Sequence, residues 1–497
     1  MKRNFYTNID INSVVTPFLT QAMHDVDAGR AEPVGALYPF VDVYAGSQLT
    51  DVLFDIFCQF SNTDSEIWSD YSFKYEQTEE NGVAVDYHPQ YEGIYAFNRR
   101  FGVDPYRVWI DRCRQNGLRA WLSIRMNDCH CPDDEAGFLR SEFFYEARRK
   151  GWMVGAHYGY YRHCFDYAVP EVRNRMLAYI EEQLNRYSAD GLELDFSREL
   201  ICFDYVNNPD CCGIMNEFMR EVKRLVEKAE EKCGHKILIG VRLMRDMEQC
   251  RVYGFDPRTW VNEQLVDMLC VCPRWASCDS DMPIAAWKQA FPHTEIAAGV
   301  TDLILRSSDN VGCSPATIAG YSLRYLGDGA DSMYLFNFFM NPYCIYAPRE
   351  RDILEINNRC GRMDSVSTRT LRHIVTYQDA VPEPCTPWRP LPLTVNAAPV
   401  PLSVKLGGLP KSRSYAVILG FTEGSPEGAE IRLDGQPLTE FTPVTHGAVE
   451  PTRLPFTAAV LYRCEIAPPA ADTLLFTFRA NRKQVAVCIG YVEIEIF

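Results

Sequence analysis

Acidic and apolar residues alternate between positions 190 and 196, which read DGLELDF. Successive side chains of a β-strand point to opposite faces, so Glu193 and Asp195 would share one face. In a barrel of parallel strands that face points inward, with Asp195 nearer the C-terminal mouth where barrel enzymes place catalytic groups. We therefore predict that Asp195 is catalytic. Glu193 is a second catalytic candidate, with a purely structural ion network as its alternative.

Arginine side chains are predicted to flank these two carboxyl groups. The same alternation points Arg125 and Asn127 inward on the preceding strand and Arg242 inward on the following one. A buried charge is costly unless it is paired, so a charged layer of both signs is self-consistent. An adjacent arginine would keep Asp195 ionised, which suits a nucleophile, a base or a substrate anchor.

Carboxylates near other strand ends supply the remaining catalytic candidates. Hydrolysis of a glycosidic bond uses two carboxyl groups about 5 to 9 Å apart, one protonating the leaving oxygen and one attacking or activating water. The partner of Asp195 would be one of Asp128, Glu199, Asp246 and Asp302. A helix-capping role is the alternative for Asp302.

The residues predicted to bind substrate lie beside these carboxylates. They are Arg125, Asn127, His130, Arg198, Arg242, Trp275 and Asn337. An indole face suits the apolar face of a pyranose ring, and half-buried packing is the alternative for Trp275. Guanidinium groups pair with carboxylates in a bidentate manner, so the arginines also allow an anionic sugar such as a uronic acid.

A long segment from Cys129 to Pro170 is predicted to connect the third strand to its helix. It carries His130, His157, His163, Tyr158, Tyr160 and Tyr161. Loops rich in aromatic and polar groups often line a binding site, and this one is long enough to act as a lid.

The stretch 190–196 resembles the strand-four signature of chitinase-type and related barrel glycosidases, Asp-Gly-apolar-acid-apolar-Asp-aromatic. In that family a glutamate proton donor follows the aromatic residue, whereas this chain has Ser197. The resemblance therefore implies the fold and argues against chitinase activity by the usual mechanism.

A closer likeness is to uncharacterised bacterial glycosidase-like barrels. They combine an Arg-x-Asn-Asp-x-His strand end with an acidic strand reading Asp-Gly-Leu-Glu-Leu-Asp-Phe-x-Arg, here 125–130 and 190–198. The likeness spans roughly residues 50 to 340. It implies a glycoside hydrolase-like TIM barrel with a similar mouth and does not fix a substrate.

Short apolar runs alternate with stretches of helical period along the first two thirds of the chain. They predict strands at 36–44, 51–58, 119–125, 191–196, 236–243, 266–272, 295–300 and 332–338, with helices at 106–115, 171–187 and 215–232. This order indicates an α/β fold, a (β/α)₈ TIM-like barrel. The first unit is the weak point, because residues 43–51 are too few for a crossover helix.

A different pattern follows Pro348. One more helix to about residue 359 and a proline-rich segment at 382–392 precede strands at 402–406, 415–421, 430–433, 458–465, 473–478 and 484–489. These predict a small all-β sandwich. We place the catalytic barrel at residues 1–365 and the sandwich, an accessory domain that buttresses the barrel, at 366–497.

Charge and composition exclude several classes of protein. The 497 residues carry a net charge of −16, which offers no attraction to nucleic acid or to an anionic membrane. An odd count of 19 cysteines with no export signal predicts reduced thiols and a cytoplasmic protein. Cys129, His130 and Cys131 lie too close together for a usual zinc site, so no metal is expected. Phosphate-loop and dinucleotide motifs are missing from the sequence, and no cofactor is expected.

Three functions are compatible with these residues. The first is a glycoside hydrolase that uses Asp195 and a second carboxyl group. The second is a barrel that binds carbohydrate without cleaving it, because Ser197 replaces the usual acid and arginines would hold the carboxylates. The third is a metal-dependent lyase or isomerase with Asp128, His130, Glu193 and Asp195 as ligands.

Overall fold

The structure is a computed structural model. It describes residues 4–9, 14–68, 79–80, 83–84, 92–130, 133, 140–274, 278–301, 314–336, 350–376, 381–444, 461–481 and 486–497.

Eight parallel strands close into a barrel, which confirms the predicted fold. They are β1 (Phe5–Ile9), β2 (Asp51–Phe57), β3 (Arg119–Arg125), β4 (Gly191–Asp195), β5 (Leu238–Leu243), β6 (Met268–Val271), β7 (Glu295–Thr301) and β8 (Ser332–Phe336). Each strand pairs with its neighbours in the chain, and β8 returns to β1. Seven of the eight predicted strands are present.

The predicted strand at 36–44 is wrong. That apolar stretch forms two short helices, α2 (Pro33–Leu37) and α3 (Pro39–Asp42), each with a proline in its first turn. Proline fixes φ near the helical value there and lacks only an N–H that would have no partner. The true first strand is β1, and α1 (Thr16–Asp27) follows it, which supplies the missing crossover.

Helices surround the barrel. Those after α3 are α4 (Glu92–Phe101), α5 (Pro105–Gln115), α6 (Glu142–Lys150), α7 (Pro170–Arg186), α8 (Cys211–Cys233), α9 (Met247–Val252), α10 (Pro257–Asn262), α11 (Ile284–Ala290), α12 (Pro315–Gly327), α13 (Glu350–Arg359) and α14 (Met363–Val366). A two-residue hairpin, Glu79–Glu80 with Val83–Ala84, and a 3₁₀ turn, Ala156–Tyr161, lie in the connections. None of the helices in the described ranges has the length and apolar character of a membrane span.

Inside the barrel, side chains of alternate residues fill the interior in layers. Tyr6, Leu53, Trp121 and Met268 form an apolar floor nearer the N-terminal ends of the strands. Gly191 is required beneath the indole, because a Cβ there would lie 2.1 Å from Cδ2 of Trp121. The glycine of the Asp-Gly motif thus makes room for the floor on which the charged layer rests.

The C-terminal part is a sandwich of antiparallel strands, as predicted. Its strands are β9 (Leu371–Ile374), β10 (Leu393–Val395), β11 (Val400–Lys405), β12 (Tyr415–Glu423), β13 (Ala429–Leu433), β14 (Gln436–Pro437), β15 (Thr442–Val444), β16 (Leu461–Ile466), β17 (Thr473–Ala480) and β18 (Val487–Ile496). One sheet has the order β9-β18-β12-β16-β15, with β10 also paired to β18, and the other β11-β17-β13-β14. A one-turn 3₁₀ helix, Pro426–Gly428, precedes β13.

The sandwich packs directly on the barrel through α12. A Cβ at Gly320, in the middle of that helix, would lie 2.2 Å from the carbonyl oxygen of Arg372 in β9. At the end of the same helix, Lys405 of β11 forms an ion pair with Asp328, Nζ to Oδ1 2.5 Å. At Gly320 the backbone of α12 therefore contacts the backbone of β9 directly, which is possible because glycine has no side chain.

We expect Gly320→Ala to destabilise the protein by about 1 to 3 kcal/mol, because the added methyl group must separate α12 from β9. The matched control is Gly35→Ala in α2, where no atom lies within 4 Å of the added Cβ and helix propensity favours alanine. Denaturant unfolding of both variants measures the difference. Equal stability of the two variants would contradict the direct packing described here.

Candidate active site

Four adjacent strands each direct one charged side chain to the barrel mouth. They are Asp55 on β2, Arg125 on β3, Asp195 on β4 and Arg242 on β5, so the sign alternates around the barrel. The strand register places Arg125 opposite Asp195 and Asp195 opposite Arg242. None is more than 2% exposed. We call this set the charged ring.

Asp195 is held by a bidentate ion pair. Nε and Nη2 of Arg242 each lie 2.8 Å from one of its carboxylate oxygens. The backbone N–H groups of Ser197 and Arg198 also donate to Oδ1, at 2.9 and 2.8 Å. Burial opposes the charge on Arg242, but the Asp195 carboxylate outweighs it and raises the pKa of Arg242. The predicted arginine partner of Asp195 is thus present.

Glu193 lies one layer deeper on the same strand and is fully buried. Its Oε2 accepts from Ser123 Oγ at 2.7 Å and from Asn8 Nδ2 at 3.2 Å, and the Tyr334 hydroxyl also faces the carboxyl group. Burial, and then the charge of Asp195, raise the pKa of Glu193 to about 7. Near neutral pH this carboxyl group therefore retains its proton in part of the molecules.

Asp128 joins the charged ring through Arg125. The guanidinium contacts Asp55 Oδ2 through Nε and Asp128 Oδ2 through Nη1, both at 3.0 Å. His130 contacts the other oxygen of Asp128 through Nδ1. Burial would raise the pKa of Asp128, but His130, Arg198 and Arg125 outweigh it and hold the pKa well below its usual value.

Glu199 forms a second buried cluster over the ring. Its Oε2 accepts from Arg274 Nη2 at 2.7 Å, and its Oε1 accepts from Arg198 Nη1 at 3.3 Å and from the Tyr160 hydroxyl at 3.1 Å. Burial, and then the charge of Glu199, raise the pKa of Tyr160, which stays a donor. Tyr160 is the exposed member, at 37%.

Most of the predicted site residues meet at this mouth. Those in the ion-pair networks are Arg125, Asp128, His130, Asp195, Arg198, Glu199 and Arg242, and Glu193 lies one layer below them. Trp275, Asp302 and Asn337 lie outside the described residues. Asp55 was absent from the prediction, although the alternation Asp51, Leu53, Asp55 in a predicted strand could have found it.

Two further predicted residues, Asn127 and Asp246, make structural contacts. Asn127 donates to the carbonyl oxygens of Phe165 and Ile201, at 3.1 and 3.0 Å, and accepts from the Phe165 N–H at 2.8 Å. It thus joins the loops that follow β3 and β4. Asp246 caps α9 by accepting from the N–H groups of Glu248 and Gln249.

The four residues proposed as metal ligands do not form one cluster. Asp128 and His130 contact each other, whereas Glu193 and Asp195 have separate partners. In the described part of the chain no three His, Cys, Asp or Glu side chains are arranged to hold a metal ion.

No protein-family model matches this chain. Among curated proteins it is similar to 1,4-alpha-glucan branching enzymes. That of Pseudoalteromonas atlantica is 30% identical over 123 residues, 24% of this chain and 16% of the relative. That of Aquifex aeolicus is 31% identical over 121 residues, 23% of this chain and 18% of the relative. The chain therefore matches less than one fifth of these proteins.

Solved structures similar to this chain include glycoside hydrolases. Alpha-L-fucosidase isoenzymes 2 and 1 from Paenibacillus thiaminolyticus have TM-scores of 0.42 and 0.36 at 10% and 13% identity. The match covers 71% of this chain and 48% of isoenzyme 2, and 97% of both chains for isoenzyme 1. A glycoside hydrolase family 18 N-acetylglucosaminidase from Paenibacillus barengoltzii has a TM-score of 0.30 at 11% identity, over 60% of this chain and 68% of the other. At these values the activity has to be argued from the site itself.

We expect Glu193→Gln to change how stability depends on pH. The folded-state pKa of Glu193 is raised from 4.5 to about 7. The stability that the protonated Glu193 side chain contributes is therefore fully present below pH 4.5 and is lost as the pH rises through about 7. Glutamine imitates the protonated form. Relative to the wild type, the variant should therefore gain on the order of 3 kcal/mol between pH 4.5 and pH 8.

Denaturant unfolding at a series of pH values measures this gain. The exposed Glu66→Gln serves as the control, with a curve parallel to that of the wild type. A Glu193→Gln curve that is also parallel would mean that Glu193 loses its proton at an ordinary pH.

Proposed function

We propose that this protein is a glycoside hydrolase that cleaves a glycoside or oligosaccharide at the C-terminal mouth of its barrel. One observation carries the proposal: Asp195 and Glu193 share one inward face of β4, where Asp195 forms a bidentate ion pair with Arg242 while burial raises the pKa of Glu193 to about 7. Titratable neighbours whose environments favour opposite protonation states are the mark of an acid–base pair.

Asp195 suits the role of the ionised carboxylate. A carboxylate has about four acceptor positions. Oδ1 already accepts from Ser197, Arg198 and Arg242, whereas Oδ2 accepts only from Arg242 in the described structure. Oδ2 is therefore the atom that would take a proton from water or attack the anomeric carbon.

Glu193 suits the role of the protonated partner. Glu193 and Asp195 lie two residues apart on β4, which corresponds to a backbone rise of about 6.6 Å between them. The proton of Glu193 would reach the leaving oxygen through a bound water, since Glu193 lies below the mouth. Asp128 is less suited to donate, because His130, Arg198 and Arg125 hold its pKa well below the usual value. Both carboxylate oxygens of Glu199 already accept hydrogen bonds from arginines. Asp302 is the predicted alternative donor.

A barrel that binds sugar without cleaving it is the second candidate. It is favoured by the burial of Asp128, Asp195 and Glu199, each at most 1% exposed, and by the arginine that pairs with each of them. Carboxylates fixed in ion pairs are costly to move, so this arrangement also fits a rigid scaffold beneath a binding surface.

We expect Asp195→Asn to lower kcat on aryl glycosides by at least about 100-fold, because the amide can neither attack nor accept a proton. The measurement is release of the aryl group from a panel of neutral and uronic glycosides, with and without a chelator. The matched control is Asp42→Asn. Asp42 forms the same bidentate pair with Arg112, at 2.7 and 2.8 Å, on the outer helices.

The outcomes separate the candidate functions. Release that collapses only in Asp195→Asn and is insensitive to the chelator supports the hydrolase. Sugar binding by both proteins without release favours the binding barrel. Release that stops when the chelator is added would support a metal-dependent reaction and reject both.

A further inference from the structure

Two tyrosines form a corner at the rim of the mouth. Tyr160 and Tyr161 end the 3₁₀ turn Ala156–Tyr161, and their rings are perpendicular, with centroids 5.1 Å apart and an interplanar angle of 88°. Tyr160 is 37% exposed, whereas the charged groups of the ring beneath it are at most 2% exposed. A ligand that approaches this part of the mouth would therefore meet an aromatic ring before it meets a charge.

The Tyr160 ring is held from below. Its hydroxyl donates to Glu199, and the guanidinium carbon of Arg274 lies 5.3 Å from its centroid. The polar end of the side chain is thus satisfied inside the protein while part of the ring stays in solvent. A tyrosine that only filled a gap in the surface would need neither a buried carboxylate nor a buried guanidinium.

The loop that carries Tyr160 is fixed as well. Met153 and Phe165 form a bridge that closes its base, and Asn127 binds both backbone groups of Phe165. This anchoring connects the turn to the end of β3. The position of the ring is therefore set before a ligand arrives, which reduces the entropy that binding would lose.

We propose that the exposed face of Tyr160 is a stacking platform for a neutral pyranose unit. The proposal rests on the carbohydrate-binding part of the proposed function and not on cleavage. An aromatic face covers the apolar C–H face of a sugar, and the tyrosine, with few rotatable bonds, loses little entropy.

The charge balance beneath the platform selects a neutral sugar. The ion pairs of the charged ring, Asp128 and Glu199 join four arginines, Arg125, Arg198, Arg242 and Arg274, to four carboxylates, Asp55, Asp128, Asp195 and Glu199. A uronate would have to displace a protein carboxylate from its arginine. That exchange exposes a buried charge, so the anionic sugar allowed by the sequence is disfavoured.

Calorimetric titration of the full chain tests the platform. The probes are maltohexaose, cellohexaose and chitohexaose as neutral chains and a hexagalacturonate as the anionic one. We expect at least one neutral probe to bind the wild type, Tyr160→Ala to weaken its affinity about 10-fold or more, and Tyr160→Phe to keep it within about 3-fold. The control is Tyr38→Ala, because the half-buried Tyr38 lies 4.4 Å from the guanidinium of Arg112 on the outer helices.

Each outcome decides the proposal, and the thermal midpoint of each variant confirms its fold. Equal affinity of Tyr160→Ala and the wild type, binding of hexagalacturonate alone, or binding of none of the neutral probes overturns it. Loss of binding in Tyr160→Ala without any cleavage by the wild type supports the platform and rejects the hydrolase. Cleavage with unchanged binding in Tyr160→Ala rejects the platform alone.

Discussion

The pairing of buried charges inside the barrel is the constraint on which the rest of the mouth depends. Asp55, Arg125, Asp195 and Arg242 lie where water is excluded, and an isolated ion there would cost several kcal/mol. Each is tolerated because its neighbour carries the opposite sign. A slip of one residue between β3 and β4 would place these charges among the apolar helices, so the pairing also fixes the register.

The loops over the mouth are attached to the same charges. Arg125 connects the ring to Asp128 at the start of one loop, and Asp195 accepts from the N–H groups of Ser197 and Arg198 in the loop after β4. Asn127 then joins the two loops through Phe165 and Ile201. The rim is therefore connected to the barrel interior through these side-chain hydrogen bonds.

The sequence predicts those parts of the fold and site that follow a single period. The two-residue alternation of side chains located seven barrel strands and the inward charges of β3, β4 and β5. It succeeds there because each side chain of a buried parallel strand must point either into the barrel or toward the helices. It failed for residues 36–44, where an apolar run with prolines packs as helices. It does not supply the contacts of Asn127, which joins two loops, or of Asp246, which caps α9.

Contacts between distant residues explain what the sequence could not supply. That Arg274 meets Glu199, or that Tyr160 covers both, depends on how two loops fold back, and no spacing in the chain records it.

The charge neutrality that four arginines and four carboxylates give these networks depends on one further group, Glu193. It holds while Glu193 keeps its proton, because this carboxyl group faces no arginine in the hydrogen bonds described. Above its pKa of about 7 the interior gains one negative charge, which the charge of Arg242 offsets only in part. The same proton therefore affects both the stability of the barrel and the neutrality of its mouth, so a sugar that enters the mouth near neutral pH meets a site whose charge depends on Glu193.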